Sequence, residues 1–387
     1  MYFSYGTRNI LDNREHSAER GMRMEKHIAL FIASLSRGGS ERVAVTLAGY
    51  LAKKGYKVSL VTQYQKENEF PLPEGVERYF SEITEEEKGG RLYNIFARLA
   101  KLRRIWKELD PDVVLSFIGK NNLMAILTTR GLGIPVAAAV RGEPSEEYAS
   151  SLMMKAANLL FPLAAAVVLQ TEKSKDYFSR RAVKHAVVLK NQLSETFLVP
   201  LYEGERKKRI VMVGRIDSNK NHEMGIRAFA ALAERYPEYD LLILGEGDKR
   251  SELSKLVRDL KLEERIQLPG ACSDVRDQIK DAEIFMLTSY SEGVPNTLLE
   301  AMAQGLACIS TDCPSKGPAQ IIKDGENGLL VPVGNVEALT EALGRLLGDT
   351  MLREQIANKG LSVRKEYAGE TVNREWEDFL NGIARRK

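Results

Sequence analysis

The segment at residues 282–311 reads AEIFMLTSYSEGVPNTLLEAMAQGLACIST. It begins and ends with apolar runs of strand length, as expected for strands that are buried in a parallel sheet. Between them, Gly293 allows a tight turn, Pro295 is tolerated only at a helix start, and Asn296 suits a helix N-cap. The segment therefore predicts a strand, a turn, a helix and a second strand. The free N–H groups at the start of that helix would suit an anion.

Two glutamates bracket this predicted anion site. Glu292 lies in the turn, and Glu300 lies about one turn inside the helix, where its side chain points back toward the helix N-terminus. Carboxylates do not grip phosphate, but they accept hydrogen bonds from sugar hydroxyls. The arrangement suggests a site for a nucleotide sugar. The alternative is a surface turn with two solvated glutamates.

The spacing of Glu292 and Glu300 is the E-x7-E spacing of the retaining glycosyltransferases of the GT-B fold, family four, which the chain resembles from about residue 24 onward. The resemblance implies an α/β fold with two Rossmann-like parallel-sheet domains facing across a cleft. It implies that Glu300 binds the nucleotide ribose and that Glu292 contacts the donor sugar. It also places the residues between them at the donor pyrophosphate, namely Gly293, Val294, Pro295, Asn296, Thr297 and Leu298.

Strand and helix patterns alternate along the chain and predict four parts. Residues 1–23 are polar and lack periodicity, so we expect a flexible N-terminal extension. Residues 24–195 form the predicted acceptor domain, and residues 196–361 form the predicted nucleotide-sugar domain. By the resemblance, residues 362–387 include a helix that crosses back to the first domain.

The composition is that of a globular protein with 387 residues, 44% of them hydrophobic, and a length that suggests at least two domains. A net charge of +3 is too small to indicate a nucleic-acid partner. The sequence shows no membrane-spanning run and no secretory signal, and its three cysteines cannot all pair, so we expect a cytoplasmic protein. The histidines and cysteines show no metal-ligand spacing, and we expect neither a metal nor a cofactor.

Gly38 and Gly39 lie where the first predicted strand meets the first helix. They do not fit the dinucleotide-binding fingerprint, because the glycine spacing is wrong and Gln63 follows the second strand where an acidic residue is required. The resemblance implies instead that the amides of this loop approach the donor diphosphate. The alternative is a tight turn that needs glycine for its geometry alone.

Arg215 and Lys220 lie in one strand-to-helix loop of the second half. Two cations in one loop need an anionic partner, and a diphosphate fits a planar guanidinium and a point charge. They match the R-x4-K pair that holds the donor pyrophosphate in the resembled family, and Gly245 matches a glycine turn near the nucleotide. The alternative is a pair of solvated surface cations.

Arg141 and Glu143 follow a strand at a point where relatives often have a histidine close to the reacting sugar. We expect Arg141 to meet a phosphate or to orient the acceptor, and Glu143 to bind the acceptor. The alternative is that both are loop residues with no chemical role.

Residues 91–109 predict a basic amphipathic helix. Its cations, among them Arg98 and Lys101, suit anionic lipid headgroups or a lipid-linked diphosphate acceptor. The alternative is a solvated polar face above a stripe that faces the core. The apolar residues at helical spacing are Leu92, Ile95, Phe96, Leu99, Leu102, Ile105 and Trp106.

These features favour a retaining, metal-independent hexosyl- or N-acetylhexosaminyltransferase in cell-envelope polysaccharide or glycoconjugate synthesis. Its catalytic residues would be Arg215, Lys220 and Glu292. Its partners would be a nucleotide sugar, which we expect to be a UDP-sugar, a glycan or lipid-linked diphosphate acceptor, and an anionic inner membrane face. The alternatives are a sugar-nucleotide epimerase and a nonenzymatic subunit that binds nucleotide sugars for a partner transferase.

Overall fold

The computed structural model describes residues 26–36, 38–272 and 274–385. The first domain is built on a parallel sheet whose spatial order is β3-β2-β1-β4-β5-β6-β7. The strands are β1 (His27–Ile32), β2 (Lys57–Thr62), β3 (Val76–Phe80), β4 (Val113–Phe117), β5 (Val136–Ala139), β6 (Ala166–Leu169) and β7 (Ala186–Val188). Every residue of β1 is buried, as its unbroken apolar run predicts.

The second domain is built on a parallel sheet with the order β10-β9-β8-β11-β12-β13. Its strands are β8 (Lys207–Val213), β9 (Asp240–Leu244), β10 (Ile266–Gly270), β11 (Ala282–Leu287), β12 (Ala307–Thr311) and β13 (Leu329–Val331). Two parallel sheets with helical crossovers confirm the predicted α/β class with two Rossmann-like domains.

Helices cover the faces of the two sheets. In the first domain they are α1 (Gly39–Lys53), α2 (Arg91–Leu109), α3 (Gly119–Thr129), α4 (Pro144–Glu147) and α5 (Ser151–Leu160). In the second domain they are α6 (His222–Ala230), α7 (Arg250–Asp259), α8 (Val275–Ile279), α9 (Asn296–Ala303), α10 (Val336–Gly348), α11 (Thr350–Gly360) and α12 (Val363–Glu366). The last helix is α13 (Gly369–Ile383).

The C-terminal segment passes from one domain to the other. Val363 and Tyr367 belong to a core of the second domain. Val372 and Trp376 on α13 belong to a core of the first domain, together with residues of β1 and β2. The crossing therefore occurs just before α13, some residues after the predicted boundary at residue 362. The predicted extension at residues 1–23 lies outside the described residues.

Helix α2 places only part of its apolar stripe against the core. Leu102, Ile105 and Trp106 are buried, but Leu92 is 73% exposed and Phe96 is 70% exposed. The stripe therefore faces the core only in the second half of the helix. The length of α2 explains why only half of its stripe is buried. Its 19 residues span about 28 Å, whereas the five residues of β4 span about 17 Å.

The start of α9 corrects the predicted N-cap. The capping position is held by Pro295 rather than by Asn296, and no side chain caps this end of the helix. The predicted N-cap was wrong by one residue. Because proline has no side-chain acceptor, the N-cap residue leaves the first amides of α9 without a side-chain partner.

Candidate active site

Two helix N-termini from different domains face each other across the cleft. A β-carbon added at Gly39, the first residue of α1, would lie 3.1 Å from Nδ2 of Asn296, the first residue of α9. Neither of the capping residues, Gly38 and Pro295, supplies a side-chain hydrogen bond. Each helix N-terminus carries a partial positive charge, so two such ends repel each other unless an anion lies between them.

The Glu41 side chain gives a structural reason for glycine at position 38. A β-carbon at Gly38 would lie 2.3 Å from Oε2 of Glu41, so the missing side chain makes room for this carboxylate. Burial raises the pKa of Glu41, and the charges of Lys66 and Arg215 oppose that rise. Arg215 belongs to the second domain, so its charge acts across the cleft on the glycine loop.

The two predicted cations of the second domain, Arg215 and Lys220, differ in exposure and in ion pairing. The side chain of Arg215 is 80% exposed, and its ion-pair contact is Asp217 at 3.2 Å. Lys220 is mostly buried, and its Nζ lies 2.5 Å from Oε1 of Glu292. Arg215 is therefore available to an anionic ligand, whereas Lys220 is already paired with a carboxylate.

Hydrogen bonds hold the loop after β8 against the loop after β11. The Asn219 side chain donates to the carbonyl of Ser291 and accepts from its amide, each at 3.0 Å. The Thr288 hydroxyl donates to the Lys220 carbonyl at 3.0 Å. Because β8 and β11 are neighbouring strands, these contacts fix the positions of Lys220 and Glu292 relative to each other.

Glu292 is held through one carboxylate oxygen. Its Oε1 accepts hydrogen bonds from Lys220 Nζ at 2.5 Å and from the Ser289 hydroxyl at 2.6 Å. Both contacts fall on the same oxygen, which orients the carboxylate while Oε2 takes no part in them.

Glu300 is buried and forms an ion pair with Arg42 of α1, in the opposite domain. Burial raises the pKa of Glu300, and the Arg42 guanidinium opposes that rise. The carboxylate expected to bind ribose is thus engaged by the first domain. Sequence reasoning missed Arg42, although its place in the first turn of α1, directly behind the glycine pair, was a usable signal.

Val294 is held by two neutral side chains of the first half of the chain. Its amide donates to Gln170 Oε1, and its carbonyl accepts from Asn191 Nδ2, each at 3.0 Å. Gln170 accepts the hydrogen bond of the Val294 amide in this structure, and the contact of that amide with the pyrophosphate stays a prediction. Gly293 is constrained by the same contact, since a β-carbon there would lie 1.9 Å from Gln170 Oε1.

Arg141 and Glu143 lie buried where the two domains meet. Arg141 donates to Asn191 Oδ1, and its guanidinium carbon lies 5.3 Å from the centre of the Trp376 ring. Burial lowers the pKa of Arg141 to about 10. Glu143 accepts a hydrogen bond from the Ser315 amide at 3.1 Å. Glu143 therefore connects the two domains, whereas Arg141 contacts residues of the first domain, and the role of both toward an acceptor stays a prediction.

Arg141 and Glu143 keep unpartnered polar atoms. Within the described part of the chain, Arg141 Nε and Nη1 and Glu143 Oε1 are buried without a hydrogen-bond partner. Buried groups of this kind call for an explanation, and a ligand in the cleft is one that the location allows.

Three other predicted residues have local structural roles. Gly245 has a φ of +157°, and a β-carbon there would lie 1.8 Å from the Gly214 carbonyl oxygen, so loop packing alone requires glycine. Arg98 pairs with Glu82 at 2.6 Å, and Lys101 lies 3.4 Å from Glu87. The two cations of α2 therefore have partners within the first domain, and their role toward an acceptor stays a prediction.

Thr297 and Leu298 complete the first turn of α9, after Asn296. Among the described residues, no group of three His, Cys, Asp or Glu side chains is arranged to hold a metal ion. Within the same part of the chain, no helix is long and apolar enough to cross a membrane.

Two family models match the chain in succession. Glycosyltransferase Family 4 matches residues 37–191, and Glycosyl transferases group 1 matches residues 195–363. The two parallel-sheet domains form the GT-B fold. The chain belongs to glycosyltransferase family four.

Similar proteins span nearly the whole chain. It is 29% identical over 372 residues to N-acetylgalactosamine-N,N'-diacetylbacillosaminyl-diphospho-undecaprenol 4-alpha-N-acetylgalactosaminyltransferase of Campylobacter jejuni, covering 92% of this chain and 99% of that protein. It is 26% identical over 370 residues to the amylovoran biosynthesis glycosyltransferase AmsD of Erwinia amylovora, covering 92% and 100%. The structure of Anabaena HepE in complex with UDP and glucose superposes with a TM-score of 0.79 at 17% identity, covering 92% and 100%.

Proposed function

We propose that this glycosyltransferase moves a hexosyl or N-acetylhexosaminyl group from a UDP-sugar to a glycan or lipid-linked acceptor, with retention of anomeric configuration and without a metal ion. The observation that carries the proposal is the close approach of two helix N-termini, at Gly39 and Asn296, whose N-cap residues supply no side-chain hydrogen bond, beside the exposed Arg215. A diphosphate would neutralise all three positive groups at once. The complex of a structural neighbour with UDP and glucose is consistent with this donor.

Negative charge develops on the leaving diphosphate when the bond to the anomeric carbon breaks. Preorganised donors aimed at that charge stabilise the transition state, most strongly where water is excluded. In this cleft the donors would be Arg215, Lys220, and the amides at the starts of α1 and α9. These groups would stabilise the negative charge that a bound metal cation stabilises in other transferases.

The carboxylates would orient the donor rather than attack it. Glu292 would use its Oε2 for a hydroxyl of the donor sugar while Ser289 and Lys220 hold Oε1. Glu300 would accept the ribose hydroxyls in exchange for part of its contact with Arg42. Retention would follow from attack on the face that the diphosphate leaves, with the acceptor proton passing to the departing phosphate oxygen.

We propose the acceptor class from the names of the relatives. The Campylobacter relative is named for a diphospho-undecaprenol substrate, and the Erwinia relative is named for amylovoran biosynthesis. A lipid-linked diphosphate or a growing polysaccharide is therefore our proposed acceptor. We place the reaction on the cytoplasmic side of the membrane, where nucleotide sugars would supply it.

Incubating the protein with a panel of nucleotide sugars and short-chain lipid diphosphates tests this function. We expect release of UDP and a product whose new linkage keeps the anomeric configuration, observed by NMR and unchanged by a chelator. Glu292→Gln should lower the rate by about 100-fold, whereas the exposed glutamate substitution Glu223→Gln on α6 should not.

Three results would contradict the proposal. Donor binding without any turnover would indicate a binding subunit, and isomerisation of the donor without an acceptor would indicate an epimerase. Inversion of configuration would contradict the proposed chemistry.

A further inference from the structure

Ser315, in the loop of residues 312–318 that follows β12, is buried and uses all of its polar groups at the meeting point of the two domains. Its hydroxyl donates a hydrogen bond to the Glu292 carbonyl at 2.6 Å. Its amide donates to Glu143 Oε2 at 3.1 Å, and its carbonyl accepts from the Thr171 hydroxyl at 2.6 Å. One residue of the second domain thus joins two residues of the first domain to the backbone of Glu292.

The contact with Ser315 completes the restraint of Glu292. Lys220 and Ser289, which belong to the same domain as Glu292, hold its carboxylate oxygen Oε1. The Ser315 hydroxyl holds the main-chain carbonyl of Glu292 instead. With the main chain and one carboxylate oxygen both held, the direction in which Oε2 points is set.

The loop around Ser315 is stiff. The Lys316 amide donates to the Cys313 carbonyl at 2.8 Å and closes a tight turn. Pro314 lies at the second position of this turn, where its fixed backbone angle suits the conformation. A stiff turn transmits a displacement of Ser315 to its partners rather than absorbing it.

The same loop lies directly against the loop between β11 and α9. A β-carbon added at Gly317 would lie 1.6 Å from the Gly293 carbonyl oxygen and 3.0 Å from the Glu292 carbonyl oxygen. No side chain fits between the two backbones at this point, so the loop after β12 and the backbone of Glu292 move together.

The partners of the Ser315 main chain come from the carboxyl-terminal edge of the first sheet. Thr171 lies just after β6, and Glu143 lies between β5 and α4. Both side chains are buried. Because these two hydrogen bonds cross from one domain to the other, they hold Ser315 only while the domains are closed.

We propose that Ser315 is a positioning residue that fixes Glu292 when the two domains close, and that it affects the reaction through Glu292. The inference rests on the proposed function, in which Glu292 Oε2 contacts the donor sugar. Closure of the cleft and alignment of the donor sugar would then be one event, because the contacts that Ser315 makes with the first domain also set the backbone of Glu292.

Steady-state kinetics with a nucleotide sugar and an acceptor tests this role. Ser315→Ala removes the hydroxyl and leaves the main-chain hydrogen bonds of the residue in place. We expect kcat to fall by about tenfold, with little change in the KM for the donor. In a Glu292→Gln background, the same substitution should lower kcat by less than about twofold, because a residue that acts through Glu292 then has no carboxylate left to position.

Ser81→Ala is the matched control, because Ser81 is also buried and its hydroxyl also donates to a backbone carbonyl, that of Thr62 at 3.2 Å. It should leave kcat unchanged. An equal loss of kcat in Ser81→Ala, or a tenfold loss from Ser315→Ala in both backgrounds, would overturn the proposal in favour of a purely structural role. Melting temperatures confirm that all variants are folded.

Hydrogen exchange of the full chain, without any sugar nucleotide, tests the contact apart from the reaction. We expect Ser315→Ala to speed the exchange of the amides of residues 288–295 by at least about fivefold. Thr171→Val should speed it less, and should add nothing in the Ser315→Ala background, because its effect passes through Ser315.

The two experiments separate the inference from the proposed function. A wild type without turnover would contradict the proposed function, and hydrogen exchange would then decide whether Ser315 holds Glu292. Unchanged exchange in Ser315→Ala, or an added effect of Thr171→Val in its presence, would overturn the inference even where the wild type transfers the sugar.

Discussion

The two domains contribute different groups to the loop between β11 and α9, which we call the donor loop. The second domain contributes charged side chains. Arg215 is exposed, and Lys220 is paired with Glu292. The first domain contributes the neutral side chains of Gln170 and Asn191, which hold the backbone of Val294, and one charged contact, from Arg42 to Glu300. The difference suggests a division of labour in which charged groups stabilise the leaving group and neutral groups set the geometry of the closed cleft.

The charged side should give the largest effect on the reaction. Arg215→Ala removes the most exposed cation of the cleft and, with it, a donor to the leaving diphosphate. We expect kcat/KM to fall by about 100-fold to 1,000-fold. Steady-state kinetics with the nucleotide sugar would measure this. Arg227→Ala is the control, because Arg227 is a half-exposed cation of the same domain that pairs with Glu223. An equal loss in both variants would contradict a specific role for Arg215.

The neutral side should give a smaller effect of another kind. Gln170→Ala leaves the Val294 amide without its acceptor, so this hydrogen bond no longer holds the donor loop in position against the first domain. We expect kcat to fall by about tenfold with little change in the KM for the donor. Gln267→Ala, an exposed glutamine on β10, should change neither constant. A larger loss in donor affinity than in kcat would mean that Gln170 acts on binding rather than on positioning.

Gly39→Ala tests the gap between the two helix ends. The added methyl group would lie 3.1 Å from Asn296 Nδ2 and would narrow the space meant for the diphosphate. We expect about a fivefold rise in the KM for the donor with an unchanged melting temperature. Gly90→Ala is the control, since a β-carbon at Gly90 meets no atom within 4 Å. Equal kinetics for Gly39→Ala and the wild type would indicate that the donor does not pass between these helix ends.

The smallest effect should be a change in pH dependence. Arg42 opposes the burial that raises the pKa of Glu300, so Arg42→Gln should raise that pKa further. An acid with a higher pKa loses its charge at a higher pH. The acid limb of kcat/KM should therefore move upward in pH, while the rate at pH 8 changes by less than about threefold. An unchanged acid limb would show that Glu300 does not need its charge for the reaction.

The sequence predicted the second domain better than the contacts between domains. Apolar runs and glycine turns placed β11, α9 and β12. The short strand β3 was missed, because only one of its five residues is buried and its sequence lacks a clear apolar run.

The missed site residues share one physical cause. Arg42, Gln170 and Asn191 act on the opposite domain, and the partners of such residues depend on how the domains meet, which local pattern does not encode. The exposed first half of α2 has a related cause, since periodicity predicts which side chains share a face but not whether another element covers that face.

The central claim is that two helix N-termini and Arg215 jointly hold a diphosphate. Calorimetric titration with UDP and with uridine measures this most directly, in the wild type and in Arg215→Ala. The account predicts that the wild type binds UDP at least about 100-fold more tightly than uridine and that Arg215→Ala removes most of this difference. Equal affinities for UDP and uridine in the wild type would contradict it.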